Sequence, residues 1–175
     1  MKTLLLLRHA KSNWGNPDLP DHDRALNKRG QRAAPAIGSW VKENGFLPSQ
    51  AFVSDARRAL ETWGRLGIDA DVSIRPEMYH ATPDTLLDLV NGATSERIIL
   101  VGHNPGIGLL AQGIVQSPPH HERFDQFPTA ALLVASFDVP RWGDVTPHSG
   151  KVEAFVTPQD LNSSQQKRPR RKAAF

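Results

Sequence analysis

The sequence predicts an α/β fold, a three-layer sandwich in which helices cover both faces of a mostly parallel central sheet. Short apolar segments of strand length alternate along the chain with segments whose apolar residues recur at helical spacing. The first apolar segment, residues 4–7, is leucine at every position, as expected for a strand buried on both faces. Two of the apolar segments are followed by histidine, at His9 and His103.

The predicted strands are bounded by polar residues or by Gly and Pro. They cover residues 4–7, 51–54, 72–75, 97–102 and 131–138, with a last strand at a sheet edge over residues 151–157. The predicted helices lie between these strands, over residues 31–44, 55–66, 83–90 and 106–115. Thr82 is a suitable N-cap for the third helix, and Gly45 and Gly67 suit the ends of the first two. Residues 116–128 are rich in Pro and His and predict a long loop.

Length and composition predict one globular domain, which we place over residues 1–160. The chain has 175 residues, of which 39% are hydrophobic and 22% charged, as is usual for a protein with a single core. No apolar run approaches the roughly 18 to 20 residues of a membrane span. Lys2 and the leucines after it resemble the start of a signal peptide, but this apolar segment is too short and no cleavage site follows it. Without cysteine the chain has neither disulfides nor a catalytic thiolate, and we expect a cytoplasmic protein with no membrane contact.

Charge is distributed unevenly between this domain and the C-terminus. Of the 21 Lys and Arg residues, five lie within residues 161–175, which contain no Asp or Glu, so residues 1–160 carry 16 basic against 18 acidic residues. The basic, Ser- and Gln-containing composition predicts a disordered extension over residues 161–175. Such a tail can contact an acidic partner, although a solvated terminus without a specific partner is the simpler interpretation. Because no basic, aromatic-rich pattern precedes it, a nucleic-acid partner is not expected.

Residues that can bind an anion follow the first and fourth predicted strands. Arg8 and His9 come at the carboxyl end of the first strand, which is where ligands bind in open α/β sheets. His103 follows the fourth strand and precedes a turn and a helix, whose N–H groups favour an anion. Arg57 and Arg58 are adjacent at the start of the second predicted helix. Adjacent helix positions point in different directions, so one of them can face this edge while the other faces solvent, and Arg58 is the candidate for the site. The sequence therefore predicts one shared anion site.

Other binding motifs have little support. The Walker pattern is absent. Residues 106–111 match the dinucleotide fingerprint formally, but no following strand ends in an acidic residue at the expected distance. The histidines lack the spacing of a zinc site. We expect neither a metal nor a cofactor.

Three segments, taken together and in order, resemble the signature of the histidine phosphatase superfamily. They are Arg8-His9-Ala10, residues 54–62 and the turn over residues 102–106. Further segments are similar to the SixA-type phosphohistidine phosphatases within that superfamily. They are residues 8–12 with Trp14, residues 23–26 leading to Arg29-Gly30, residues 78–81 and residues 127–131. The resemblance covers residues 3–158 and implies a histidine phosphatase-like sandwich.

The resemblance also implies a reaction. His9 is expected to attack phosphorus and form a phosphohistidine intermediate that water hydrolyses, without a metal. Arg8, Arg58 and His103 are expected to surround the phosphoryl oxygens, with Asn104 as a further substrate-binding residue. Two guanidinium groups beside His9 would disfavour its protonated form and so keep the nucleophile neutral. The implied partner is a phosphorylated protein histidine, such as that of a phosphotransfer domain.

The general acid and the substrate stay open at this point. Phosphoglycerate mutase-like relatives protonate the leaving oxygen with a carboxylate, and Glu77, just beyond the third predicted strand, is the candidate for that role. A phosphoramidate releases imidazole, a better leaving group than an alkoxide, so an enzyme for phosphohistidine can lack a strong acid. The alternatives are a phosphatase of small phosphate esters at the same site, and a phosphate-binding interaction protein with little catalysis.

Overall fold

A six-stranded mixed sheet forms the middle layer of the computed structural model, which describes the backbone of residues 1–167 and the side chains of residues 1–164. Its strands are β1 (Lys2–Arg8), β2 (Gln50–Ser54), β3 (Asp71–Arg75), β4 (Arg97–Gly102), β5 (Leu132–Phe137) and β6 (Lys151–Val156). They lie in the order β3-β2-β4-β1-β5-β6. The first four in this order are parallel, whereas β5 runs antiparallel to both β1 and β6. The start of β5 therefore lies beside the carboxyl end of β1, with Leu132 opposite Leu7.

Helices cover both faces of the sheet, so the predicted three-layer sandwich is confirmed. They are α1 (Lys28–Glu43), α2 (Arg57–Leu66), α3 (Pro83–Asn91), α4 (Gly106–Ile114) and α5 (Pro158–Lys167). The core residues of α1 and α2 pack on one face of the sheet, and those of α3 and α4 pack on the other. Within residues 1–167, no helix is both long enough and apolar enough to cross a bilayer.

The leucine run of β1 supplies both halves of the core. Leu4 and Leu6 belong to the cluster under α3 and α4, and Leu5 and Leu7 belong to the cluster under α1 and α2. All four side chains are fully buried. Alternate residues of a strand point to opposite faces, so only a strand covered on both sides accommodates an uninterrupted apolar run.

Two helix starts and the predicted C-terminal extension differ from the prediction for local reasons, while most other element boundaries lie within one or two residues of it. Helix α1 begins at Lys28 rather than at residue 31, because the side chain of Asn27 accepts a hydrogen bond from the Gly30 N–H at 2.9 Å and caps the helix. Helix α2 begins at Arg57 rather than at residue 55, because Ala56 has an extended backbone.

The third difference concerns the predicted disordered extension from residue 161, since residues 161–167 belong to α5. Thr157 and Asp160 cap this helix reciprocally: the Thr157 N–H donates to Asp160 Oδ2 at 2.8 Å, and the Asp160 N–H donates to Thr157 Oγ1 at 3.4 Å. Leu161 packs against the core beside α1. The rest of the predicted extension, residues 168–175, lies outside the described residues.

Helices α1 and α2 approach each other closely at Gly38, and this contact gives a prediction about stability. A Cβ atom at Gly38 would collide with the backbone carbonyl of Leu66, whereas a Cβ atom at Gly64 would have no neighbour within 4 Å. We expect Gly38→Ala to lower the free energy of unfolding by about 1–3 kcal/mol. The matched variant Gly64→Ala should raise it by up to about 1 kcal/mol, because alanine favours the helix. Urea unfolding would contradict this account if both variants were stabilised.

Candidate active site

The parallel pairing of β1 and β4 brings the two predicted histidines together. Arg8 lies opposite Gly102 in the register, so His9 and His103 leave the sheet side by side. The N–H of His9 donates to the carbonyl of Gly102 at 2.9 Å, and the centroids of the two imidazole rings lie 5.1 Å apart. The prediction that these histidines share one site at the sheet edge agrees with this geometry.

The hydrogen bonds of His9 assign its tautomer. Its Nδ1 lies 2.7 Å from the carbonyl oxygen of Ala10, which can only accept, so Nδ1 carries the proton. Its Nε2 faces the guanidinium of Arg58, whose Nε–H donates to it at 3.3 Å. The lone pair of a neutral imidazole is therefore at Nε2, on the side of the ring that faces the arginine. This nitrogen is the potential nucleophile.

Arg58 faces the site and Arg57 faces solvent, which agrees with the prediction that adjacent helix positions point in different directions. The Arg58 side chain is buried, whereas that of Arg57 is 60% exposed and pairs with Glu61. The α2 backbone is tied to the site by Thr62, whose hydroxyl accepts from the Ala10 N–H at 3.0 Å and donates to the Arg58 carbonyl at 2.7 Å. Helix α2 is thereby held against the segment that carries His9.

A turn before α1 holds the guanidinium of Arg58 on its far side. Arg58 Nη1 donates to the backbone carbonyl of Asp21 at 2.8 Å, and Nη2 donates to its carboxylate at 3.1 Å. The hydroxyl of Tyr79 donates to the same carboxylate oxygen. These contacts, from Tyr79 first and from Arg58, keep the pKa of Asp21 below its usual value. Asp21 is therefore an ionised partner that orients Arg58 and not a proton donor.

Burial and charge together keep both histidines neutral. Burial lowers the pKa of His9 to about 4, and the charges of Arg58 and Arg8 add to this effect while the bond to Ala10 opposes it. Burial also lowers the pKa of His103 to about 3, with further contributions from His9 and Arg58. The neutral His9 expected from the two guanidinium groups is thus present, but burial is the larger cause.

Arg8 and the loop before β5 complete the site from the opposite side. Arg8 Nη1 donates to the carbonyl of Phe127 at 3.2 Å, and the Ala130 N–H donates to the backbone carbonyls of Arg8 and His9. The antiparallel direction of β5 places this loop at the edge where β1 ends. His103 Nε2 lies 2.8 Å from the hydroxyl of Ser54, at the end of β2.

The arrangement surrounds a small cavity of about 160 Å³. Arg8, His9, Arg58, His103 and Asn104 all contribute to its lining, so the predicted site residues meet there apart from Glu77. The cavity is also lined by residues that follow β1 and by two from neighbouring loops, namely Lys11, Ser12, Trp14, His80 and Thr129.

Two predicted roles differ from what the structure shows. Glu77 does not line the cavity, and its exposed carboxylate pairs with Arg75 at 3.4 Å, because a short 3-10 turn follows β3 and directs it away. Asn104 lines the cavity, but its amide group is engaged within the protein. Its Nδ2 donates to the carbonyls of Gln126 and Phe127, and its Oδ1 accepts from Gly108. Asn104 therefore positions the loop before β5 and offers no free amide donor to an anion.

Asp21 and Tyr79 contact Arg58 or its partner in the site but were not among the site residues predicted from the sequence. Both lie in loops without periodicity, and they contact Arg58 only after the chain has folded. The sequence offered one signal for them: Tyr79 lies within a segment that resembles the SixA type, and Asp21 lies just before another. Among the described side chains, no group of three or more His, Cys, Asp or Glu residues is placed to hold a metal ion.

The fold and the site together define an oxyanion-binding α/β protein with a neutral, potentially nucleophilic histidine. The sequence profile of the histidine phosphatase superfamily (branch 1) matches residues 4–79. An uncharacterized protein of Mycobacterium leprae is 32% identical over 162 residues, which cover 87% of this chain and 100% of that protein.

Two solved structures of proteins provisionally named phosphohistidine phosphatase SixA share the fold over 90% of this chain. The protein from Nakamurella multipartitia is 29% identical, with a TM-score of 0.76 and 96% of its own chain covered. The protein from Agrobacterium tumefaciens is 27% identical, with a TM-score of 0.75 and 98% of its chain covered. The chain belongs to the histidine phosphatase superfamily, and within it the chain is similar to the SixA type.

Proposed function

We propose that the protein is a metal-independent phosphatase that removes phosphate from phosphohistidine in proteins, through a phosphohistidine intermediate on His9. The observation that carries the proposal is the placement of a neutral His9 Nε2 against the guanidinium of Arg58, inside a cavity that Arg8 and His103 also line. Membership of the histidine phosphatase superfamily and the likeness to SixA proteins support it.

In the first step, the lone pair of His9 Nε2 forms a bond to phosphorus while the bond from phosphorus to the substrate imidazole breaks. The leaving imidazole takes the electron pair and collects a proton from solvent. The phosphorylated His9 is then an imidazolium, because Nδ1 keeps its proton. The carbonyl of Ala10, 2.7 Å from Nδ1, stabilises that positive charge.

In the second step, the oxygen of a water molecule bonds to phosphorus and the bond to Nε2 breaks. The electron pair returns to His9 Nε2, the water gives up a proton to solvent, and inorganic phosphate leaves. In both steps the transferring group spreads negative charge over its oxygens, so cationic donors fixed in advance lower the barrier. Arg8 and Arg58 supply these donors, and the His103 ring lines the same cavity.

The alternative is that the same residues act on small phosphate esters. That reaction would need a general acid, for which Glu77 was the candidate. An alkoxide leaving group requires a proton donor more than imidazole does. The Glu77 carboxylate lies outside the cavity, and the Asp21 carboxylate is held ionised. The absence of a placed carboxylic acid among the described residues favours a phosphoramidate substrate.

The experiment that tests this proposal is phosphate release in excess EDTA from a phosphotransfer domain phosphorylated on histidine, with a small aryl phosphate as the comparison. Fast release from the phosphorylated protein and release from the aryl phosphate that is slower by orders of magnitude would support the proposal. Release from the aryl phosphate alone would move the function to small esters. No release from either substrate would favour a phosphate-binding protein.

The contact of Asp21 with Arg58 gives a prediction about positioning. We expect Asp21→Asn to lower kcat about tenfold with a smaller change in KM, because Arg58 keeps its bond to the Asp21 backbone carbonyl but loses its charged partner. The matched variant Glu77→Gln, which removes a carboxylate outside the cavity, should change kcat less than about twofold. Equal losses in the two variants would contradict the roles given to these carboxylates.

The lowered pKa values predict how the protein responds to acid. Since the pKa of His9 is about 4 when folded and about 6.5 when unfolded, the unfolded chain binds more protons between these values. The free energy of unfolding should therefore fall as the pH drops from about 6.5 to about 4, and His103 adds to this effect. Urea unfolding at pH 7 and pH 5 measures the difference, on the order of 1–3 kcal/mol. The NMR signal of the His9 ring should titrate near pH 4, and a midpoint near 6.5 would contradict this environment.

A further inference from the structure

We propose that a groove of basic side chains beside the catalytic cavity docks an acidic surface of the phosphorylated protein. This inference rests on the proposed function and extends it by naming the chemistry of the substrate's surface. The groove, which we call the basic groove, consists of two cavities of about 260 and 390 Å³. Its basic side chains are Arg8, Lys11, Arg29, Arg32 and Arg123.

The basic groove continues directly from the catalytic cavity. Its first part shares Arg8, Lys11 and Thr129 with the cavity that contains His9. Its second part shares Arg29 with the first and runs between α1 and α5. A substrate whose phosphoryl group lies at His9 would therefore extend along this groove.

Positive charge in the basic groove is not balanced locally. No Asp or Glu side chain of the described residues lines either of its parts. Lys11, Arg29 and Arg32 have no carboxylate within 4.0 Å among residues 1–164. Residues 1–160 carry 16 basic and 18 acidic residues in total, so a groove with five basic and no acidic side chains differs from the rest of the domain. Its potential favours a negatively charged partner.

Packing holds the basic groove in place. Helix α1 begins against the segment after β1, because Gly30 has no side chain and a Cβ there would collide with the carbonyl of Lys11. The Asn27 N–H donates to that same carbonyl at 3.0 Å. On the other wall, Arg123 Nη1 donates to Gln159 Oε1 at 2.6 Å. Arg29 and Arg123 thus lie on opposite walls whose backbones are set by the fold.

The lining of the basic groove favours carboxylates of a protein over a nucleotide. No aromatic side chain lines either part among the described residues, so a nucleobase would find nothing to stack on. Arg29 and Arg32 are exposed on α1, where an approaching protein surface can reach them. Guanidinium groups pair readily with carboxylates, and such charges increase the rate of encounter with the correct partner.

The test compares two peptides that carry phosphohistidine, one flanked by glutamates and one by glutamines at the same positions. We expect the parent protein to show a kcat/KM at least about tenfold higher for the glutamate peptide at low salt, with the preference declining as salt is added. The variant with both Arg29→Glu and Arg32→Glu should reduce this ratio to about one or below. Glutamate is favourable in the first turn of a helix, so Arg29→Glu suits the start of α1.

A matched control changes the net charge by the same amount elsewhere. Lys42→Glu combined with Arg65→Glu alters two exposed residues at the far ends of α1 and α2, and neither lines the basic groove. This control should keep the preference of the parent protein. A parent without a preference, or a preference that survives in the Arg29 and Arg32 variant, would overturn the docking proposal while leaving phosphatase activity in place.

A second readout does not require catalysis. Fluorescence anisotropy measures the affinity for the glutamate peptide without its phosphate, and we expect the Arg29 and Arg32 variant to bind at least about tenfold more weakly than the parent. If the parent hydrolyses neither phosphopeptide, the proposed function fails, and this affinity difference still decides whether the basic groove binds acidic chains. Equal affinities in parent and variant would contradict the proposal that the basic groove binds acidic chains.

Discussion

His9→Ala is expected to lower the rate of phosphate release at least about a thousandfold, because the variant has no nitrogen at the position of the nucleophile. The imidazole is buried at the end of β1, its Nδ1 proton is held by Ala10, and its Nε2 is directed at Arg58. In the variant, a water molecule is not held in the orientation from which the imidazole attacks phosphorus, so it cannot replace His9. Steady-state release of phosphate from a phosphohistidine protein measures the loss.

A control for this variant is His120→Ala, which removes an exposed histidine that does not line the catalytic cavity. It should retain the parent rate within about twofold. Circular dichroism and urea unfolding check that His9→Ala remains folded, since the substitution also creates space at a buried position. A folded His9→Ala protein with the parent rate would mean that the reaction does not pass through this histidine.

Arg58→Ala is expected to lower kcat/KM by about 10²–10³-fold, while Arg57→Ala should change it less than about threefold. The two residues are neighbours at the start of α2, but Arg58 faces His9 and Arg57 pairs with Glu61 on the exposed side. The comparison therefore removes the same charged group from the same helix turn, once facing the site and once facing solvent. A similar loss of kcat/KM in both variants would indicate a general effect of charge, and not a hydrogen-bond donor that Arg58 positions at the site.

Arg58→Lys separates geometry from charge. Arg58 donates through Nε to His9 and through Nη1 and Nη2 to Asp21, a fork that a single ammonium group cannot reproduce. We expect the kcat/KM of Arg58→Lys to exceed that of Arg58→Ala by less than about tenfold. Full recovery would show that a positive charge near His9 is sufficient and that the contact with Asp21 has no catalytic importance.

The parts of the structure that follow from local pattern were predictable from the sequence. The apolar run of β1 identified a strand buried on both faces, and parallel strands end at one edge, so His9 and His103 could be placed together. Helix geometry predicted that only one of Arg57 and Arg58 would face the site. These inferences needed no knowledge of which distant segments meet.

The parts that depend on distant contacts could not be predicted in this way. Asp21 reaches Arg58 and Tyr79 only through the folded chain, from a short turn without periodicity. Glu77 was placed by its distance from β3, but the turn after that strand directs it toward Arg75. Residues 161–167 have the polar composition of a tail, and their helix depends on the cap formed by Thr157 and Asp160.

The most direct measurement of the proposed mechanism follows labelled phosphate from a phosphohistidine protein in excess EDTA, with samples quenched in alkali and separated by size. We expect the label to appear on the parent protein at His9 before free phosphate accumulates. The His9→Ala variant should neither become labelled nor release labelled phosphate. Release of free phosphate by His9→Ala at the parent rate, or turnover by the parent without label on His9, would contradict a covalent intermediate at this histidine.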